Sequence, residues 1–259
     1  PKEWIEQLAQ LSTEDLWQID ASSNSEVLNN SSLKEYFNEL KNLTHLIPYY
    51  PDQNTDSYYT DRTFFKVKNK KRHEIEKITP IIEDLKALNQ YSSVIDIGGG
   101  QGHLARVISS YHNLQGISID CCEEFQNTGK KKLSKYPHYK DGKGIEYVNH
   151  FFGDDSEKDS TLLLKDSLTI GLHTCGPLAL RHAEAFSKSD AKTLLNFGCC
   201  YLRLDAQTET NLSKFCNNNS HLELSSYALT LATRSHAEMN LEEFKLKMRV
   251  KQYRNMLHL

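Results

Sequence analysis

The sequence predicts an α/β domain, a mostly parallel sheet with helices on both faces, preceded by an amino-terminal helical lobe. Two patterns carry this expectation. Short β-branched and aliphatic runs alternate with helical periodicity from Val94 onward, and the first run leads straight into Gly98-Gly99-Gly100-Gln101-Gly102. A strand feeding a glycine turn and then a helix opens a βαβ unit, and repeated units of this kind build parallel sheets.

Residues 1 to about 47 read as helical, with Trp4, Ile5, Leu8 and Leu11 and then Leu33, Phe37, Leu40 and Leu43 at three- and four-residue intervals. Ala21-Ser22-Ser23-Asn24-Ser25 separates the two stretches as a loop. The tract from Pro48-Tyr49-Tyr50-Pro51 to Thr60 breaks the period; its tyrosines suit either a substrate pocket or a packed connection between lobes. A helix follows from Arg72 to Leu88, with Ile75, Ile78, Ile82, Leu85 and Leu88 on one face and Pro80 near a start or kink. The alternating series is then strand 93–98, helix 102–110, strand 116–120, helix 122–135, strand 145–150, strand 167–173, helix 177–187 and strand 193–198. Asn217-Asn218-Asn219-Ser220 reads as a surface loop, Leu222-Glu223-Leu224 as a weak strand, and Leu241 to Leu259 as an amphipathic basic helix. The division drawn is a lobe over 1–65 and the sheet domain over 66–259.

A chain of 259 residues with 38% apolar and 25% charged residues is a soluble globular composition with room for a sizeable core. No apolar run approaches about 18 residues and no basic-then-apolar leader is present, so neither a membrane span nor a secretory signal is expected. None of the six cysteines forms C-x-x-C, and the adjacent pairs Cys121-Cys122 and Cys199-Cys200 are poor disulfide partners. A reducing intracellular, cytoplasmic location is expected, with most cysteines as small packing residues and no metal. Net charge is only −3, but the basic residues cluster at Lys66, Lys68, Lys70, Lys71 and Arg72, at Lys130 to Lys135, and at Lys245 to Arg254. Such clusters are ordinary solvated faces or, gathered on one side, a phosphate-binding surface.

The chemistry centres on Asp96, which ends the apolar run Val94-Ile95 one residue before Ile97 and the glycines. Glycines on a strand-to-helix turn permit positive φ and close approach of a ligand, and the free amides of the new helix point at it. The dinucleotide fingerprint counted from Gly98 needs a third glycine where His103 stands, which disfavours an NAD(P)-dependent oxidoreductase. The register is instead Asp96-x-Gly98-x-Gly100-x-Gly102. One βαβ unit later, Asp120 ends the second strand with Cys121 beside it, placed to accept hydrogen bonds from ribose hydroxyls. Phe151-Phe152-Gly153-Asp154-Asp155 follows the third strand, where Asp154 suits an adenine amino group and Phe152 offers a ring face. Plain turn formation explains the same acids equally simply. The fourth strand ends in Gly171-Leu172-His173-Thr174-Cys175-Gly176, and the fifth in Gly198-Cys199-Cys200-Tyr201. His173 suits a general base, cofactor positioning or a core hydrogen bond, and Tyr201 the site entrance.

These residues resemble the methyltransferase-like protein 25 group of class I S-adenosylmethionine (SAM) dependent methyltransferases and, more distantly, the tRNA acceptor-stem 2′-O-methyltransferases. The resemblance covers roughly residues 66 to 204. It is carried by Lys70-Lys71-Arg72-His73-Glu74, Asp96 through Leu104, Gly171 through Gly176, and Gly198 through Tyr201. It implies a Rossmann-like class I methyltransferase sheet and SAM as cofactor. In that setting Lys71 and His73 cap the cofactor or substrate side, and Asp96, Gly98, Gly100, Gly102, His103, Asp120, Cys121 and Asp154 hold the cofactor. His173 and Tyr201 are the catalytic candidates. The reaction expected is direct displacement of the methyl by an O or N acceptor. The acceptor class is macromolecular, with RNA favoured slightly over protein by the basic clusters. The family's closing antiparallel strands have no clear counterpart here, and Pro177-Leu178 and Tyr201 depart from the tRNA enzymes' pattern. A SAM-binding module without catalysis is the other reading.

Overall fold

A computed structural model describes residues 1–45, 63–133, 135, 144–201, 225–232 and 239–257. The tyrosine-rich tract, Cys216, the Asn217 loop and the Leu222 strand candidate lie outside these residues. Among the described residues five strands form one parallel sheet: β1 (Ser93–Ile97), β2 (Gln115–Asp120), β3 (Ile145–Asn149), β4 (Ser167–Leu172) and β5 (Thr193–Phe197), in the order β3-β2-β1-β4-β5. Each lies within one residue of its expected bounds.

The contacts group the chain into two compact units, Pro1–Tyr49 with Arg234–Leu259, and Tyr50–Thr233. The last helix thus groups with the amino-terminal helices, where the division by composition had put it with the sheet. The first unit contains α1 (Lys2–Gln10), α2 (Thr13–Ser22) and α3 (Ser31–Leu43). A capping box between Ser12 and Asp15 starts α2, and with a 3₁₀ turn at Ser25–Val27 only Ser23 and Asn24 of the expected loop 21–25 are non-helical. The last helix (Leu241–Leu257) belongs here because Trp17 Nε1 donates to the Met239 carbonyl at 2.7 Å, two residues before it. That helix buries only Phe244 and leaves Leu246, Val250, Tyr253 and Met256 exposed, so the expected amphipathic stripe is not seen.

In the second unit, α4 (Asn69–Asn89) precedes the sheet and carries Pro80 in its interior, among the buried residues Ile75, Ile78, Thr79 and Ile82. The connections that follow are α5 (His103–His112), α6 (Glu123–Leu133), α7 (Ser156–Leu162) and α8 (Pro177–Ser187), with α9 (Ser226–Ala232) after β5. The short α7 was not expected; Asp155 caps it by accepting from the Glu157 and Lys158 amides.

All five residues of β1 are buried because helices cover both faces of the central strand. Alternation divides them. Val94 joins Phe64, Ile75, Ile78, Ile82, Leu104, Val107, Ile108, Leu168 and Ile170 on one face. Ile95 and Ile97 join Ile117, Ile119, Phe152, Leu163 and Ala185 on the other. Each such side chain contributes about 1.5–3 kcal/mol by leaving water. By the same period of two, Asp96 shares the Val94 face, toward α4. The connection from β1 runs to β2, whereas β4 pairs on its opposite side. The carboxyl ends of β1 and β4 therefore flank the topological switch point, where ligands bind in open parallel sheets.

Candidate functional site

At that point lies a cavity of about 400 Å³ lined by Lys66, Lys68, Lys71, Asp96, Gly98 to Gln101, His103, Leu104, Phe125, Lys132 and Leu172. The glycine turn is its floor and is held from several sides. The Gly98 and Gly99 amides donate to the Ile119 carbonyl at 2.9 and 3.1 Å. Asp120 accepts from the Gly100 amide and, through its other oxygen, from the Cys122 amide, each at 2.8 Å. Gln126, fully buried on α6, donates to the Gly100 carbonyl at 2.9 Å. Tyr147 Oη donates to the Gln101 carbonyl at 3.1 Å, and Lys132 Nζ reaches the Gln101 side chain at 2.6 Å.

The glycines have separate reasons. Gly98, Gly100 and Gly102 have φ of 70°, 57° and 71°, a region costly for other residues. A Cβ on Gly100 would meet nothing within 4 Å, so its backbone is bare toward open space. A Cβ on Gly102 would lie 2.7 Å from Tyr147 Cε1. Gly99, outside the alternating register, is required too: a Cβ there would lie 2.9 Å from Asp96 Oδ2 and strike Ser118 Oγ. Its small size lets the turn sit directly on the Asp96 carboxyl.

Asp96 is 3% exposed. Burial pushes its pKa up to about 7, the Lys71 charge and a hydrogen bond from the Ala105 backbone pull downward, and Asp120 adds to the rise. His103 opens α5, and burial, with the charges of Arg106, Lys132 and Lys71, lowers its pKa to about 4. It is neutral at pH 7, and its Nδ1 has no hydrogen-bond partner among the described residues.

The other sequence candidates fall in different places. Lys71 lines the cavity and pairs with Glu74 at 3.0 Å. His73 is exposed on α4 and is not in the cavity wall. Asp120 supports the turn from behind, and Cys121 beside it is exposed. Asp154 is exposed. Phe152 cannot offer a ring face to a ligand: it is 7% exposed in the core, edge-on to His150 and His182. The neighbouring buried Asp159, which accepts from the Gly153 amide at 2.8 Å and pairs with His150 at 2.7 Å, fixes this turn instead. Phe125 is the half-exposed aromatic ring in the cavity wall, and its sequence signal was only an apolar residue early in α6.

His173 follows β4 with φ of 66°, a left-handed conformation that histidine tolerates better than most residues. Its Nε2 meets Glu74 Oε1 at 2.9 Å, which joins two motifs 99 residues apart. Burial acts upward on the Glu74 carboxyl, but hydrogen bonds and charge from Lys71 and His173 hold it below its ordinary value. Glu74 is therefore ionised and positioned to orient His173. Tyr201, after β5, is exposed. Among the five described cysteines none is buried, so the expectation of packing thiols fails for them.

The sheet order, the switch-point cavity and the acid-led glycine turn define a class I methyltransferase domain. The chain belongs to the methyltransferase-domain family, whose model matches residues 70–207. Over 115 residues, 40% of this chain, it is 32% identical to "Probable methyltransferase-like protein 25" of Mus musculus; that match spans only 19% of the mouse protein. A crystal structure from Plasmodium falciparum, assigned as a protein-L-isoaspartate O-methyltransferase and holding S-adenosyl-L-homocysteine, aligns over 61% of this chain and 74% of its own. Its TM-score is 0.34 and its identity 14%, a distance at which the likeness says nothing about substrate.

SAM is the cofactor of this class, and the residues present fit it. An open backbone at Gly100, a buried carboxyl at Asp96 and an unpartnered Nδ1 at His103 offer the contacts that an amino-acid and nucleoside ligand requires. Among the described residues no helix is long and apolar enough to cross a membrane.

Proposed function

We propose that this domain transfers a methyl group from SAM to an oxygen or nitrogen of RNA. When bound, SAM supplies a methyl already activated on a sulfonium, so the protein's part is orientation and proton removal. Asp96 accepts hydrogen bonds from a cationic group, Gly98 and Gly100 give close backbone approach, and His103, Phe125 and Leu104 enclose the ligand. Cys121, His73, Asp154, His173 and Tyr201 are not among the residues that line the cavity, and of these His173 is tied to the α4 motif through Glu74. His173 takes the acceptor proton, with Glu74 as its positioning residue, and Tyr201 orients the acceptor at the rim.

The observation that favours RNA is the placement of Lys66, Lys68, Lys71 and Lys132, from two separate basic clusters, around one cavity. Cations there match a phosphate-bearing acceptor better than a neutral peptide. Radiolabelled methyl transfer into fractionated RNA and protein separates the two; label entering protein alone would reject the RNA assignment, and label in neither fraction would favour a non-catalytic binding module. The log of RNA affinity should also fall linearly with log salt, and Lys68→Ala should reduce that slope by about 0.7, one phosphate contact on a single strand. An unchanged slope would remove Lys68 from the RNA path.

His173→Asn and Glu74→Gln should each lower kcat, by about 100-fold for the first and about 10-fold for the second, on the scale of general-base catalysis. SAM affinity should stay within about 2-fold in both, as read by calorimetric titration. Full activity in His173→Asn would assign the proton to another acceptor.

A further inference from the structure

Three cysteines from two loops meet beyond the carboxyl ends of β4 and β5. Leu172 and Phe197 are register partners on these adjacent parallel strands, so the residues after them leave the sheet side by side. The His173 amide donates to the Phe197 carbonyl at 2.9 Å and extends the pairing by one residue. Positive φ at His173 and Gly176 then folds the first loop back with Cys175 between them, while the Thr174 hydroxyl donates to the Asn196 side-chain oxygen of β5. Cys175 Sγ lies 2.9 Å from Cys199 Sγ and accepts from the Cys199 amide at 3.0 Å. The sulfurs of Cys175, Cys199 and Cys200 all lie within 4.8 Å of one another.

We propose that Cys175, Cys199 and Cys200 bind one Zn²⁺ through three thiolates, with water in the fourth position. Zinc–sulfur bonds of about 2.3 Å in a tetrahedron put sulfurs about 3.8 Å apart, which rotamer adjustments of about 1 Å achieve here. Soft sulfur donors select Zn²⁺ over Mg²⁺ or Ca²⁺. Binding releases three thiol protons, and the divalent ion cancels two of the three negative charges formed. The Cys199 amide already points at Cys175 sulfur, the outer-shell contact that orients a ligating thiolate, and exposed Cys199 leaves an entry path. Sequence spacing hid the site because its ligands come from two strand ends, not from one knuckle. Once bound, the ion ties the His173 loop to the Tyr201 loop.

The test is anaerobic titration of the reduced 259-residue chain with Co²⁺, then Zn²⁺, with no methyl donor present, so that the outcome is independent of the proposed reaction. One equivalent of Co²⁺ should give thiolate charge-transfer absorption and tetrahedral d–d bands that Zn²⁺ bleaches. Cys199→Ser and Cys200→Ser should weaken uptake at least 10-fold, and Cys121→Ser should not change it. Cys199 is exposed and Cys200 half-buried, so folding is checked by an unchanged melting temperature of the metal-free variants. Absence of uptake by the wild-type chain, or equal uptake by Cys199→Ser, overturns the site. So does a chain that takes up no metal after reduction but, without reductant, is two hydrogens lighter with Cys175 and Cys199 peptides linked.

Discussion

Asp96→Asn should weaken SAM binding about 10- to 100-fold and, at the same time, make the fold more stable above pH 7. The first effect is loss of a charge-assisted acceptor, worth about 1.5–3 kcal/mol. The second follows from burial. With its folded pKa at about 7 and its ordinary value at 3.8, Asp96 holds its proton more tightly in the folded chain than in the unfolded one. That contribution is full below about pH 4 and is lost as pH rises through 7. Asparagine fills the same space and never ionises, so the variant escapes the loss, which is on the order of 1–3 kcal/mol after relaxation of the site. SAM affinity of the wild type should correspondingly strengthen as pH rises through 7, and that rise should vanish in Asp96→Asn. Urea unfolding at pH 5 and pH 8, with calorimetric titration of SAM, measures both. Parallel stability of the two proteins across that range would show that Asp96 is not the buried acid described.

Gly100→Val and Gly102→Val should fail in different ways although the residues are two apart on one turn. Both force a branched side chain into positive φ, which costs about 1–2 kcal/mol. At Gly100 the side chain enters open space, so the fold survives and SAM binding is lost because the ligand's place is taken. At Gly102 the new Cβ lies 2.7 Å from the Tyr147 ring and 3.0 Å from Ile145 Cδ1. Overpacking adds about 1–3 kcal/mol to the conformational cost, so this variant loses about 2–5 kcal/mol of stability. Thermal melts distinguish the two, and calorimetry completes the comparison. Wild-type SAM affinity in a folded Gly100→Val would move the cofactor out of the cavity.

The sheet was legible in the sequence because its signals are local. β-branched runs such as Val94-Ile95 and a glycine turn between strand and helix need no tertiary information. The seven-residue α7 escaped because it is too short to show a helical period, although its cap, Asp155, stood in the sequence. Of the sequence candidates, Lys71, Asp96, Gly98, Gly100 and His103 line the cavity, the last four from the first glycine motif. Glu74 was visible only as part of a charged run, since its role appears when α4 meets the end of β4. Gln126 and Gly99 matter through packing against Gly100 and Asp96, which no spacing reveals. Phe152 was misread for a related reason: a phenylalanine after a strand is compatible with a ligand or a core, and the neighbours His150 and His182 decide for the core.

The bonds that hold the glycine turn, from Asp120, Gln126, Tyr147 and the Ile119 carbonyl, have a further meaning for recognition. They come from β2, α6 and β3 and belong to the fold itself. The conformational entropy of the turn is therefore lost during folding and not again at each encounter with a ligand. Selectivity among nucleoside ligands then rests on a rigid template that rejects a poor fit, and adaptation is left to the lysine-lined rim.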